Sequence, residues 1–130
     1  MSIFGVQTKK PKNYITIVEE YKGALKKFNH FSFGNGCKKE NVGYVTILPL
    51  KVIGISLSCD RLGNSGEVKV AISINGYIKN DYSLTIYDGE TKNNVVFNKP
   101  LPVKAGSSLN TVSLENSKAD CTIVGILLET

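Results

Sequence analysis

The segment Glu67-Val68-Lys69-Val70-Ala71-Ile72-Ser73-Ile74 alternates apolar side chains with small or charged ones over its whole length, then runs straight into Asn75-Gly76. A period of two belongs to a half-buried strand, so Val68, Val70, Ile72 and Ile74 are expected to share one buried face. Asn-Gly suits a type I′ turn because both central positions need positive φ, and Tyr77 to Asn80 should therefore pair back as a hairpin. No helical reading survives that combination.

The same grammar recurs on both sides. Tyr44 to Leu48 reads as a strand closed by Pro49, and Val52 to Cys59 alternates with Ile53, Ile55, Leu57 and Cys59 on its expected core face. Tyr82 to Tyr87 alternates before Asp88-Gly89 turns the chain. Asn94 to Asn98 reads as a strand ended by Lys99-Pro100, and Leu101 to Gly106 as an extended stretch turning at its glycine. Leu109 to Leu114 and Cys121 to Leu128 bring the total to about eight strands with turn signals every 8–12 residues, the signature of an antiparallel β-sandwich or jelly roll. A chain of 130 residues with 42% hydrophobic content can bury such a core as one domain without metals or disulfides.

Residues 1–42 are of a different kind. Met1 to Lys12, ending in Lys9-Lys10-Pro11-Lys12, reads as an arm. Tyr14 to Val18 has the β-branched content of a strand; Glu19 to Phe28 fits either a second strand or a short helix, with strand preferred; Gly34 to Asn41 reads as a loop. The charge divides at the same place. Residues 1–40 hold eight lysines against three glutamates, whereas residues 41–130 hold eight basic and eight acidic side chains, so the whole net charge of +5 belongs to the N-terminal segment. The expected organisation is a basic arm and anchor over 1–42 and a neutral sandwich head over 43–130. Lys9, Lys10, Lys12, Lys26 and Lys27 are the expected docking residues, on an acidic protein surface or nucleic acid.

Catalytic groupings are not evident. The single histidine, His30, lies near Cys37 but without an orienting partner or further ligands at useful spacing. Asp81, Asp88 and Glu90 fall in expected turns, where acids serve local hydrogen bonding. The glycines match neither GxGxxG nor GxxxxGK[ST]. No catalytic residue, metal site or cofactor is therefore expected. Cys37, Cys59 and Cys121 are odd in number with no CxxC pair, as expected of thiols in a reducing compartment. No run approaches the roughly 18 apolar residues of a membrane span, and the first residues lack the pattern of a signal peptide, so no membrane partner is expected. Tyr77, Tyr82 and Tyr87 are candidate contact residues for a glycan or protein, while a neutral head lacks the positive groove of a nucleic-acid binder.

In the last strand Cys121, Ile123, Gly125 and Leu127 alternate with Thr122, Val124, Ile126 and Leu128, so both faces are largely apolar. The second face must be covered, either by the anchor segment or by another subunit. Subunit contact is the expectation for Thr122, Val124, Ile126 and Leu128.

Several stretches together resemble the small trimeric β-sandwich heads, C1q- or TNF-like in shape, of bacteriophage virion proteins such as head fibres, capsid decorations and tail-fibre tips. They are Pro49 to Ser58, Gly66 to Val70 leading into Ile74-Asn75-Gly76, Phe97 to Pro102 and on to Leu109, and Ile126 to Glu129. The resemblance covers residues 43–130. It implies a non-enzymatic virion protein assembled in a host cytoplasm, a homotrimer whose subunits pack through apolar strand faces, other virion proteins as partners, and a role in capsid decoration or in attachment to a host surface. A bacterial carbohydrate-binding module is the other reading that the loop tyrosines allow.

Overall fold

A computed structural model of the chain describes residues 13–31, 43–60 and 66–130. The described residues form eight strands: β1 (Tyr14–Lys22), β2 (Tyr44–Val45), β3 (Leu50–Cys59), β4 (Val68–Ile74), β5 (Tyr77–Ile86), β6 (Lys92–Val103), β7 (Ser108–Ser113) and β8 (Cys121–Glu129). They make two four-stranded sheets, ordered β1-β8-β3-β6 and β2-β7-β4-β5, with antiparallel neighbours throughout. Of the connections between consecutive strands only β4–β5 stays within one sheet. This ordering is the eight-stranded jelly roll, and the antiparallel sandwich expected from the alternation is the fold observed.

The expected β4–β5 hairpin is present. Asn75 and Gly76 have φ of 52° and 82°, both positive as a type I′ turn demands, and Val68, Val70 and Ile72 are fully buried between the sheets. Elsewhere boundaries move for local reasons. Lys99-Pro100 does not end a strand: β6 runs on through both prolines at the sheet edge, but its pairing with β3 shifts register between Val96 and Leu101, so the missing Pro100 N–H takes no rung from that ladder. The stretch after Val45 is a turn, not strand, so Tyr44 to Leu48 contributes only two paired residues. A bulge between Val52 and Gly54 displaces Ile53 and turns Val52 inward beside Ile55 and Leu57.

The division at residue 42 is corrected by the pairing. β1 lies antiparallel to β8 along its whole length, from Tyr14 opposite Glu129 to Lys22 opposite Cys121. Beyond it Leu25 bridges Ser117 and His30 bridges Val112, which puts Leu25 and Phe31 at 1% and 0% exposure in the common core. Residues 14–31 are thus part of the sandwich: the β-branched run of β1 shields β8, which would otherwise be an edge. The expected arm (Met1–Lys12), the expected loop (Gly34–Asn41) and Cys37 lie outside the described residues.

Candidate interaction surface

The assignment of Thr122, Val124, Ile126 and Leu128 to a subunit contact is overturned by burial within one chain. All four point between the two sheets, at 0%, 0%, 0% and 1% exposure. Their strand reads as two-sided because β8 is an interior strand, flanked by β1 and β3, whose inner face meets the opposite sheet. The opposite sheet of the same chain closes over that face, while β1 of the N-terminal segment pairs with the edge of β8 and does not cover it.

The three tyrosines do not converge. Tyr77 and Tyr87 are exposed but flank the ten-residue β5 at opposite ends, about 30 Å apart at the rise of a strand. Tyr82, between them, is half buried edge-on against Phe97, with ring centroids 4.9 Å apart, and its hydroxyl donates to the Lys99 carbonyl at 3.0 Å.

The predicted docking lysines also divide. Lys26 and Lys27 sit in the turn after β1, fixed as their backbone N–H groups donate to Asn29 Oδ1 and Asn116 Oδ1. Lys12 is joined to Asn13 at the other end of that strand, where the Asn13 carbonyl accepts from the Thr130 N–H at 3.0 Å. Lys9, Lys10 and Lys12 themselves lie outside the described residues.

That second end of the sandwich, hereafter the arm end, carries a surface that the sequence reading did not single out. Val45, Ile47, Leu48 and Tyr77 are exposed there to between 56% and 83%. They are held out by a polar lock beneath them. The buried Thr46 hydroxyl donates to the Lys104 carbonyl at 2.8 Å, its N–H donates to Ser107, and its carbonyl accepts from the Gly106 N–H, so the 46–49 and 104–107 turns form one unit. Asn75 reaches the same unit: its N–H donates to the Ser108 carbonyl and its Oδ1 accepts the Ser108 N–H. Beside them is a depression of about 440 Å³ lined by Pro49, Leu50, Pro102, Val103 and Ala105 together with Lys51, Lys104, Glu129 and Thr130. Four large apolar side chains presented by braced turns are the composition of a contact surface rather than of a solvated loop. The sequence held a signal for it: Val45-Thr46-Ile47-Leu48 before Pro49 is too apolar for an ordinary turn, and alternation alone read it as strand.

Among the described residues one acidic side chain is fully buried. Glu19, on the inner face of β1, is fully buried, and its Oε1 accepts from the Thr111 N–H at 2.9 Å and the Thr111 hydroxyl at 2.7 Å. Burial pushes its pKa up to about 7, against the opposing pull of those two bonds. Enclosed between the sheets and bonded twice to Thr111, Glu19 forms a structural tie from β1 to β7. Among the described residues, no three His, Cys, Asp or Glu side chains gather as a metal site requires. Cys59 and Cys121 are half buried and are not joined in a disulfide.

No protein-family model and no curated protein sequence matches the chain. Solved structures do resemble it. A chain of the acidic stable capsid structure of Helicobacter pylori bacteriophage KHP30 superposes with a TM-score of 0.50 at 11% identity, covering 92% of this chain and 92% of that one. Coverage on that scale exceeds what residues 43–130 could supply, so the likeness takes in part of the N-terminal segment, in keeping with the place of β1 in the sheet. The Podospora anserina GH26-CBM35 β-(1,4)-mannanase matches with a TM-score of 0.40 at 11% identity, over 85% of this chain but 27% of that one. The Macrobrachium rosenbergii extra small virus particle matches with a TM-score of 0.39 at 7% identity, over 95% and 82%. At 11% identity what the phage capsid chain has in common with this one is the fold, a β-sandwich.

Proposed function

We propose that the chain is a non-enzymatic structural protein of a bacteriophage virion, an accessory jelly roll decorating the capsid or forming a head fibre, seated by its arm end. The observation that carries this reading is the coincidence, at one end, of the braced apolar set Val45, Ile47, Leu48 and Tyr77 with the point where the lysine-rich segment joins β1. An apolar patch at the end of the sandwich where a lysine-rich sequence meets β1 suits a protein surface that is apolar at its centre and acidic at its margin. Jelly rolls are a common material of viral shells, and the likeness to the phage capsid chain spans nearly the full length of both. Lys9, Lys10 and Lys12 then steer and tether, while the apolar end supplies the contact.

Mass spectrometry and immunogold labelling of nuclease-treated, gradient-purified particles from cells producing this chain test the reading. The expected result is the chain at a fixed copy number per particle, lost when residues 1–12 are deleted. Purified particles free of the chain would overturn it.

A further inference from the structure

The strand register lays out the solvent face of the β1-β8-β3-β6 sheet as a grid. One row runs Glu20, Ile123, Ser58, Lys92; the next Val18, Gly125, Ser56, Asn94; the third Thr16, Leu127, Gly54, Val96. The second and third rows hold no charge, and Val18, Val96 and Ile123 are exposed to 53%, 68% and 41%. At its centre Gly54 and Gly125 form the floor of a shallow depression of about 160 Å³ with Leu127 on its wall. Charge of opposite sign stands at the two edges of the first row, Glu20 on β1 and Lys92 on β6.

We infer that this face is a self-complementary interface that packs against the same face of a second copy of the chain, about a twofold axis parallel to the strands between β8 and β3. That operation lays β1 over the partner's β6, so Glu20 meets the partner's Lys92 and the pair is made twice. It lays β8 over the partner's β3, so Leu127 enters the hollow above the partner's Gly54. In the row beyond, Glu129 comes over the partner's Lys51. A twofold axis running across the strands makes none of these matches, since it sets Ile123 over the partner's Glu129. Sheet faces packed in this aligned manner are the ordinary geometry of a sandwich layer, and the glycines let the backbones approach. The inference uses a different surface from the arm end and does not depend on the virion reading.

Sedimentation equilibrium of the full chain tests it. A dimer is expected in the micromolar range. Glu20→Lys and Lys92→Glu should each weaken dimerisation by about tenfold or more, since each sets like charges in contact twice. The double variant, which restores opposite charges across the axis, should recover the dimer. Val96→Asp, at an exposed edge position, should abolish the dimer and leave a folded monomer, with the far-ultraviolet circular dichroism of the parent. A chain that stays monomeric at high micromolar concentration, a trimer, or an assembly indifferent to these changes would overturn the inference, as would a double variant no better than the singles. Because binding to particles is read separately, a monomer that still decorates particles sinks the interface alone.

Discussion

Glu19 of β1 holds Thr111 of β7 through both its N–H and its hydroxyl, at 2.9 and 2.7 Å, joining the two sheets through one carboxyl oxygen. The other oxygen, Oε2, is buried without a partner. With Oε1 already accepting twice, the proton of the neutral acid resides on Oε2, and ionisation leaves an unpaired charge in the core. The raised pKa of about 7, against 4.5 for the free side chain, expresses that penalty. The neutral form is favoured in the native state, so its stabilising contribution is complete below pH 4.5. It declines as pH rises towards 7 and is gone above that, a change of about 3 kcal/mol at most. Glu19→Gln keeps an acceptor for Thr111 and cannot ionise. Chemical denaturation should find it more stable than the parent above pH 7, with the difference shrinking towards pH 5. A constant difference across that range would mean that Glu19 is not neutral in the fold.

Ile126 now belongs to the core and not to a subunit contact, which changes what a substitution there does. Ile126→Asp buries a carboxylate with no partner and should prevent folding outright, whereas loss of assembly with the fold intact is what an interface role would give. The milder Ile126→Val should cost about 1 kcal/mol and Leu128→Ala about 2–5 kcal/mol in stability. Denaturant midpoints of the two milder variants, with oligomeric state read alongside, distinguish the cases. Full stability with altered oligomerisation would restore the earlier assignment.

The fold was legible where local chemistry is decisive. Alternation in β4 and the φ demand of Asn75-Gly76 fix a hairpin with no help from distant residues, and alternation in β3 and β5 follows the same rule, apart from the slip at the Val52–Gly54 bulge. What could not be read is set by contacts far apart in sequence. Nothing near Val124, Ile126 or Leu128 says what covers them; that depends on the opposite sheet closing over β8, in a core that also takes Leu25 and Phe31 from about a hundred residues earlier in the chain. Charge segregation likewise suggested a separate anchor, although Leu25 and Phe31 are core residues, because lysines on exposed turns are compatible with membership of a sandwich. The arm end escaped notice since Thr46, a small polar residue in an apolar run, marks the lock only once the 104–107 turn is placed beside it.

Two glycines of the outer sheet should differ in their tolerance of a methyl group. A Cβ on Gly54 would stand 2.5 Å from the Val95 carbonyl oxygen, which is part of the β3–β6 backbone, whereas on Gly125 it would meet the Ser56 Oγ at 2.5 Å, a side chain free to rotate away. Gly54→Ala should therefore lower the melting temperature clearly, with a loss of about 1–3 kcal/mol from overpacking. Gly125→Ala should cost less than half of that. Equal losses would show that the sheet yields at Gly54 as easily as a serine rotamer does at Gly125.

The arm end makes the most direct demand on the functional reading. Ile47 and Leu48 are exposed to 83% and 67% and lend little to the core, while the neighbouring Thr46 is buried and bonded to the 104–107 turn. Substituting both apolar residues by aspartate removes contact area and adds negative charge without disturbing that lock, so stability should stay within about 1 kcal/mol of the parent. Binding to particles should fall by at least about tenfold, since uncompensated carboxylates would enter an apolar contact. Thr46→Val inverts the pattern: it deletes the hydroxyl that joins the two turns and leaves Ile47 and Leu48 in place. It should cost about 1–3 kcal/mol of stability through the unpaired Lys104 carbonyl and weaken docking only as far as the turn loosens. Cosedimentation of each variant with particles, beside its thermal melt, reads both quantities. If the double aspartate variant binds particles as the parent does, the arm end is not the seat.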